Sequence, residues 1–183
     1  MAAGLRLEVA HAVLYVHDVD TMIEFYTNIL GFEVTDRGPF SRGDEIVFLS
    51  QTANAHHQLA FITGRGTPER SNNVNHVAFR SEGTLDDLRS LKKTLQADGR
   101  VTEIMPLTHG NAWSVYFRDP ELNGVEVFID TPWHVRQPQG QPLDLDKSND
   151  EIVESTRDHF STEPEFGSID DFYRARAARL NQP

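Results

Sequence analysis

Three residues able to bind a metal stand inside apolar, strand-like runs of this chain. His11 lies in "VAHAVLYV" (9–16), His76 in "NVNHVAFR" (73–80), and Glu126 in the run at 125–130, on one face with Gly124 and Phe128. Two imidazoles and one carboxylate, with other positions open, suit non-haem Fe(II) in an oxygenase. Three protein donors on one face leave the other for substrate and O2. Mn(II) accepts the same donors. The chain has no cysteine, which excludes disulfides, thiolate metal sites and cysteine nucleophiles. Singly, each residue has a plainer account. A strand histidine is more often hydrogen-bonded and half-buried, and a strand glutamate is more often an edge charge facing water. Their placement along the chain sets these three apart.

The elements that must position them repeat. The strand at 9–16 is followed by a helical pattern, "DVDTMIEFYTNIL", in which Thr21 and Glu24 fit a capping box. Met22, Tyr26, Ile29 and Leu30 form its apolar stripe, and Gly31 ends it. Strands are expected at 32–36, 45–50 and 57–63. The pattern then starts over. A strand at 73–80 precedes a helix at 84–97 with Leu85, Leu88, Leu91 and Leu95 on one side, then strands at 101–106, 112–118 and 125–130. The expected fold class is α+β. Two paired βαβββ units, about 8–64 and 72–130, form a curled mixed sheet around a metal cavity in a single domain spanning 1–130. His11 and His76 occupy equivalent strands of the repeat and are expected to face one cavity. Glu126 joins them if the last strand lies beside the first strand of its unit.

Residues 131–183 read as a C-terminal arm and helices. "TPWHVRQPQGQPLDL" is rich in Pro and Gln. Ser148 and Glu151 form a capping box ahead of Ile152, Thr156 and Phe160. Ser168 can cap a further helix whose stripe is Ile169, Phe172, Tyr173, Ala177 and Leu180. These stripes need a partner: the sheet exterior, a second subunit or a lid. The formal net charge of -11 argues against nucleic acid and anionic membranes as partners, since phosphate binding needs a basic surface. No signal peptide or membrane span is read, and a soluble cytoplasmic protein is expected.

"HAVLYVHDVDTMIEFYTNILGFEV", "VNHVAF" and "FRDPELNGVEVF" resemble the vicinal oxygen chelate superfamily over roughly residues 8–130. That superfamily includes glyoxalases, bleomycin-resistance proteins, fosfomycin-modifying enzymes and type I extradiol dioxygenases. The resemblance implies His11, His76 and Glu126 as metal ligands. His57-Gln58-Leu59-Ala60-Phe61 is similar to the His-x-x-Ala-Phe strand that carries a catalytic histidine in extradiol enzymes. His57 is therefore the expected base, and His56 is expected to point the other way by strand alternation. His109-Gly110, then Tyr116, then Glu126 ten residues on, also resemble the extradiol pattern. The His109 to Tyr116 interval looks two residues shorter than in catechol-cleaving relatives. The resemblance implies that His57, His109 and Tyr116 contact substrate.

The implied activity is that of an extradiol ring-cleaving dioxygenase in aromatic catabolism. It would insert both atoms of O2 into a catechol or 2,3-dihydroxybiphenyl type of substrate at an Fe(II) centre, with Mn(II) as an alternative metal. The expected partners are a small aromatic diol and O2, and a homo-oligomer is expected. Most type I extradiol enzymes carry two such pairs of units; this chain carries one and resembles the one-domain members. A glyoxalase-like isomerase usually has a fourth ligand, a carboxylate on the strand at 57–62, and none is present. A fosfomycin-type transferase shares the three ligands but needs a cationic pocket, which Lys92, Lys93, Arg118 and Arg42 do not obviously form. Drug-sequestering members tend to lose the His/His/Glu set, which is intact here.

Overall fold

The computed structural model describes residues 7–70 and 73–180, apart from the side chain of Arg42. The expected start of the second unit at 72, and the outer limits of the domains at 1 and 183, lie outside the described residues. In chain order the elements are β1 (Ala12–Tyr15), α1 (Val19–Asn28), β2 (Glu33–Pro39), β3 (Glu45–Ser50) and β4 (Leu59–Ile62). Next come β5 (Val77–Arg80), α2 (Leu85–Ala97), β6 (Thr102–Thr108), β7 (Ala112–Arg118) and β8 (Gly124–Asp130). The tail contributes β9 (Trp133–His134), β10 (Gln141–Pro142), α3 (Asn149–Phe160), β11 (Gly167–Ser168) and α4 (Ile169–Leu180). The chain divides into two compact units, one of residues 1–72 with Pro120–Leu122, the other of 73–119 with 123–183.

The first unit is a mixed four-stranded sheet in the order β1-β4-β3-β2. β1 runs parallel to β4, and the other pairs are antiparallel. α1 begins earlier than its expected capping box. Asp18, not Thr21, caps it, accepting from Thr21 N at 3.0 Å. Gly31 sits at φ +72°, the left-handed conformation that ends a helix at low cost to glycine. The helix buries Met22, Phe25 and Tyr26, and Tyr26 meets Phe61 edge-on at 5.0 Å.

A residue of "DPELNG" secures the start of α1. The Glu121 carboxylate, almost wholly buried, accepts from His17 N at 2.8 and 2.9 Å and from Asp18 N at 2.7 Å. Arg65 lies 3.4 Å from it. A carboxylate at a helix N-terminus satisfies donors the helix leaves open and opposes its dipole. Glu121→Ala strands two backbone N–H groups and removes the carboxylate beside Arg65. We expect it to cost about 3 kcal/mol in urea denaturation. A change below about 0.5 kcal/mol, the size of an ordinary surface substitution, would refute the anchoring role.

The second unit repeats the plan: its sheet runs β10-β6-β7-β8-β5, with β5 parallel to β8. The strand bearing Glu126 thus lies beside the first strand of its unit. α2 starts at a reciprocal Thr84–Asp87 capping box and buries Leu85, Leu88 and Leu95. The tail adds to this unit. β10 pairs with β6, and Arg89 Nε donates to Leu145 O at 2.6 Å. α3 carries the expected Ser148–Glu151 box, and its stripe of Ile152, Thr156 and Phe160 is buried. Trp113 Nε1 donates to Thr156 Oγ1 at 2.9 Å, so α3 is fixed to β7. α4 differs: it buries no residue, and Tyr173 and Leu180 are exposed. Among the described residues, no helix is long and apolar enough to cross a membrane.

Candidate active site

The six expected site residues fall into two sets. His11 and His57 belong to the first unit, and His76, His109, Tyr116 and Glu126 belong to the second. Among the described residues, no group of three or more His, Asp or Glu side chains is gathered so as to hold an ion.

In the second unit the set is built on β7 and β8. Tyr116 and Glu126 are direct cross-strand partners, so their side chains share a face of the sheet. Ser114, two residues from Tyr116, shares that face, and its Oγ donates to Glu126 Oε1 at 2.7 Å. The other carboxylate oxygen, Oε2, lies 3.1 Å from His76 Nε2. His76 falls just before β5 and not within it, since parallel pairing with β8 begins at Val77. Its Nδ1 lies 2.8 Å from Asn75 Oδ1. A side-chain carbonyl only accepts, so His76 carries its proton on Nδ1. Nε2 faces the Glu126 carboxylate, which likewise only accepts, so a metal bound at this nitrogen would take the place of a proton there.

His109 has both ring nitrogens engaged. Nδ1 meets Gln139 O at 2.5 Å, and Nε2 lies 3.0 Å from the Tyr116 hydroxyl. The backbone carbonyl requires a proton on Nδ1, so Nε2 is an acceptor, and the Tyr116 O–H has two acceptors in reach, His109 Nε2 and the Glu126 carboxylate. Burial first, and then the neighbouring Glu126, push the Tyr116 phenol well above its usual range. It stays protonated and remains a donor. The arm supplies this order: Gln139 gives the carbonyl, and Gln137 Nε2 donates to His109 O at 2.8 Å.

In the first unit, His11 lies just before β1 and His57 just before β4, and these strands are parallel with Ala12 level with Leu59. The two rings meet at 4.2 Å between centroids. Phe48 packs on His57 at 4.8 Å. Burial, then His11 and His56, lower the His57 pKa from its usual value, which favours the neutral ring. Val13 and Tyr15, which share one face of β1, are 45% and 61% exposed.

His56 departs from its expected position. It does not point away from His57: their Nδ1 atoms are 3.0 Å apart. The segment before Leu59 is not strand, so period-two alternation does not govern it. Sequence reading also passed over Asp36, Asn75 and Ser114. Ser114 was open to discovery, since it alternates with Tyr116. Asn75 and Asp36 carry no local signal.

A family model described as the glyoxalase/bleomycin resistance protein/dioxygenase superfamily matches residues 8–127. The chain is 35% identical over 127 residues to biphenyl-2,3-diol 1,2-dioxygenase 3 of Rhodococcus globerulus, covering 66% of this chain and 62% of that protein. It thus spans less than two thirds of that relative's length. It is 24% identical over 132 residues to a probable lactoylglutathione lyase of Vibrio cholerae, covering 69% of this chain and 93% of the lyase. The fold is similar to that of a genomically encoded fosfomycin resistance protein of Listeria monocytogenes complexed with Mn(II) and sulfate. That likeness has a TM-score of 0.51 at 22% identity and covers 72% of this chain and 95% of that one. With the matched residues spanning both βαβββ units, the chain belongs to the glyoxalase/bleomycin resistance protein/dioxygenase superfamily.

Proposed function

We propose that the protein is a metal-dependent extradiol dioxygenase that cleaves a small catechol, of the catechol or 2,3-dihydroxybiphenyl type. The observation that carries the reading is Tyr116, a phenol held protonated across from Glu126 and in hydrogen-bond contact with His109. An isomerase or a transferase on the same ligands gives no role to this pair or to His57. The similarity to a biphenyl-2,3-diol dioxygenase supports it.

Two of the proposed donors are spaced as a divalent ion would hold them. Two ligands held at about 2.1 Å and a right angle stand about 3.0 Å apart. His76 Nε2 and Glu126 Oε2 are 3.1 Å apart. Each is tied at its far side, His76 by Asn75 and Glu126 by Ser114, as outer partners of metal ligands are. His11 is the proposed third ligand. Fe(II), or Mn(II) in its place, would supply the redox chemistry that lets O2 react with a diol.

The chain's own residues do the rest. His57, favoured as a neutral imidazole, takes a phenolic proton from the diol and returns it when the ring opens. Tyr116 turns its single O–H from its resting acceptor to the oxygen charge that develops during cleavage, and His109 holds the phenol beside the site until then. Phe48, Val13 and Tyr15 offer apolar surface to an aromatic ring. A phosphonate-binding site finds less support. Lys92 is engaged by Asp146 at 3.0 Å and Arg118 by Glu103 at 2.9 Å. β4, all of it buried apolar residues, offers no fourth carboxylate for an isomerase.

The test is oxygen uptake by protein loaded anaerobically with Fe(II), with catechol and 2,3-dihydroxybiphenyl side by side. His57→Ala is expected to lower turnover by about 100-fold or more while the bound metal is retained, the range for loss of a general base. Stoichiometric metal with no uptake on either diol would overturn the reading.

A further inference from the structure

The ring-cleavage reading gives His57 a proton to carry but leaves open which nitrogen carries it. His57 Nδ1 lies 3.0 Å from His56 Nδ1, and His56 Nε2 lies 2.8 Å from Asp36 Oδ2. Asp36 reaches that position through a β-bulge. The register of β2 on β3 shifts between Val34 and Asp36, so Thr35 is extra and Asp36 pairs with Phe48. In a regular strand, with Thr35 paired in the ladder, Asp36 would face as Val34 does. The bulge instead aligns Asp36 with Phe48, whose ring packs on both His56 and His57.

With His56 neutral, the hydrogen bonds set a tautomer. A carboxylate only accepts, so His56 carries a proton on Nε2. In a neutral His56, Nδ1 is therefore a bare acceptor. Two nitrogens 3.0 Å apart need one proton between them, and His57 Nδ1 must supply it. That leaves His57 Nε2 bare. We propose that Asp36 and His56 are positioning residues that form a proton relay and hold His57 with Nε2 as its basic nitrogen. The inference rests on His57 being the base.

The relay balances. The diol O–H bond breaks as an N–H bond forms at His57 Nε2. The proton on His57 Nδ1 passes to His56 Nδ1, and the resulting imidazolium lies against the Asp36 carboxylate. The reverse transfer returns the proton to the product. The Asp36 and His56 side chains are 69% and 54% exposed, so this end of the relay exchanges with water, while His57 is half-buried.

The test begins with ring-15N-histidine labelling of the full chain without metal. His57 is expected to be protonated on Nδ1 and bare on Nε2. In His56→Phe, which keeps a ring against Phe48 but removes the acceptor, the Nδ1-protonated fraction should fall by about threefold or more. Asp36→Leu gives the same test should His56→Phe fail to fold. In the Fe(II)-loaded enzyme, both variants should lower kcat by about 10-fold with KM within about twofold, and Asp36→Glu should restore it. An Nε2-protonated His57 in the wild-type chain, or an unchanged tautomer in His56→Phe, overturns the relay. If the tautomer is as stated but no diol is consumed, the ring-cleavage reading fails, and the relay loses its catalytic role with it. If diols are cleaved while His57 is Nε2-protonated, the relay fails and that reading stands.

Discussion

Glu126→Gln is expected to weaken Fe(II) or Mn(II) binding by more than about 100-fold, beyond what loss of an outer partner of a ligand costs. The amide keeps the shape of the side chain and can still accept from Ser114. It removes the negative charge that faces His76 Nε2 at 3.1 Å. Ser114→Ala supplies the scale. It leaves the carboxylate in place and frees only Oε1, so about 10-fold weaker binding is expected. Anaerobic metal titration, with bound metal measured after gel filtration, separates the two without any assay of turnover. Equal affinity in wild type and Glu126→Gln would remove Glu126 from the ligand set and leave its contact with His76 an ordinary ion pair.

A single methyl group at position 124 is expected to be as damaging. A Cβ built on Gly124 would lie 2.0 Å from Asn75 O and 3.0 Å from Asn75 C, both backbone atoms. Neither can rotate away, so the chain before β5 must move from β8. Overpacking of this kind costs about 3 kcal/mol or more. For a chain of this size that lowers Tm by about 6–12 °C. The effect reaches the site, because Asn75 holds His76 Nδ1 and the next residue begins the pairing of β5 with β8. Gly124→Ala protein that folds at low temperature should therefore also bind metal more weakly. Calorimetry and the same titration test both parts. A Tm within about 2 °C of wild type would show that the approach of β5 to β8 is looser than this packing implies.

Much of the fold was legible along the chain. The doubled βαβββ order, the strands at 45–50 and 112–118, and the Ser148–Glu151 box are local patterns of period two, period 3.6 and cap chemistry. The strands with His11 and His76 were read too long. Each histidine stands one residue before the point where parallel pairing starts, and pairing depends on a partner distant in the sequence. The start of α1 was misread for a similar reason: Glu121 arrives from a turn about a hundred residues away.

The sequence alone determined which side chains have the chemistry: two imidazoles at repeat-equivalent strands, a carboxylate on the last strand of the second unit, a histidine before a buried Leu-Ala-Phe, and a tyrosine ten residues before the glutamate. Period-two geometry put Tyr116, Ser114 and Glu126 on one face, because cross-strand order follows from a short turn. Only the tertiary structure decided what each proton does. Asn75, Gln139 and the bulged Asp36 each set an acceptor against one ring nitrogen of His76, His109 and His56. Hydrogen bonds of 2.5–2.8 Å need atoms placed to a few tenths of an ångström by elements far apart in the chain. No local periodicity encodes that placement.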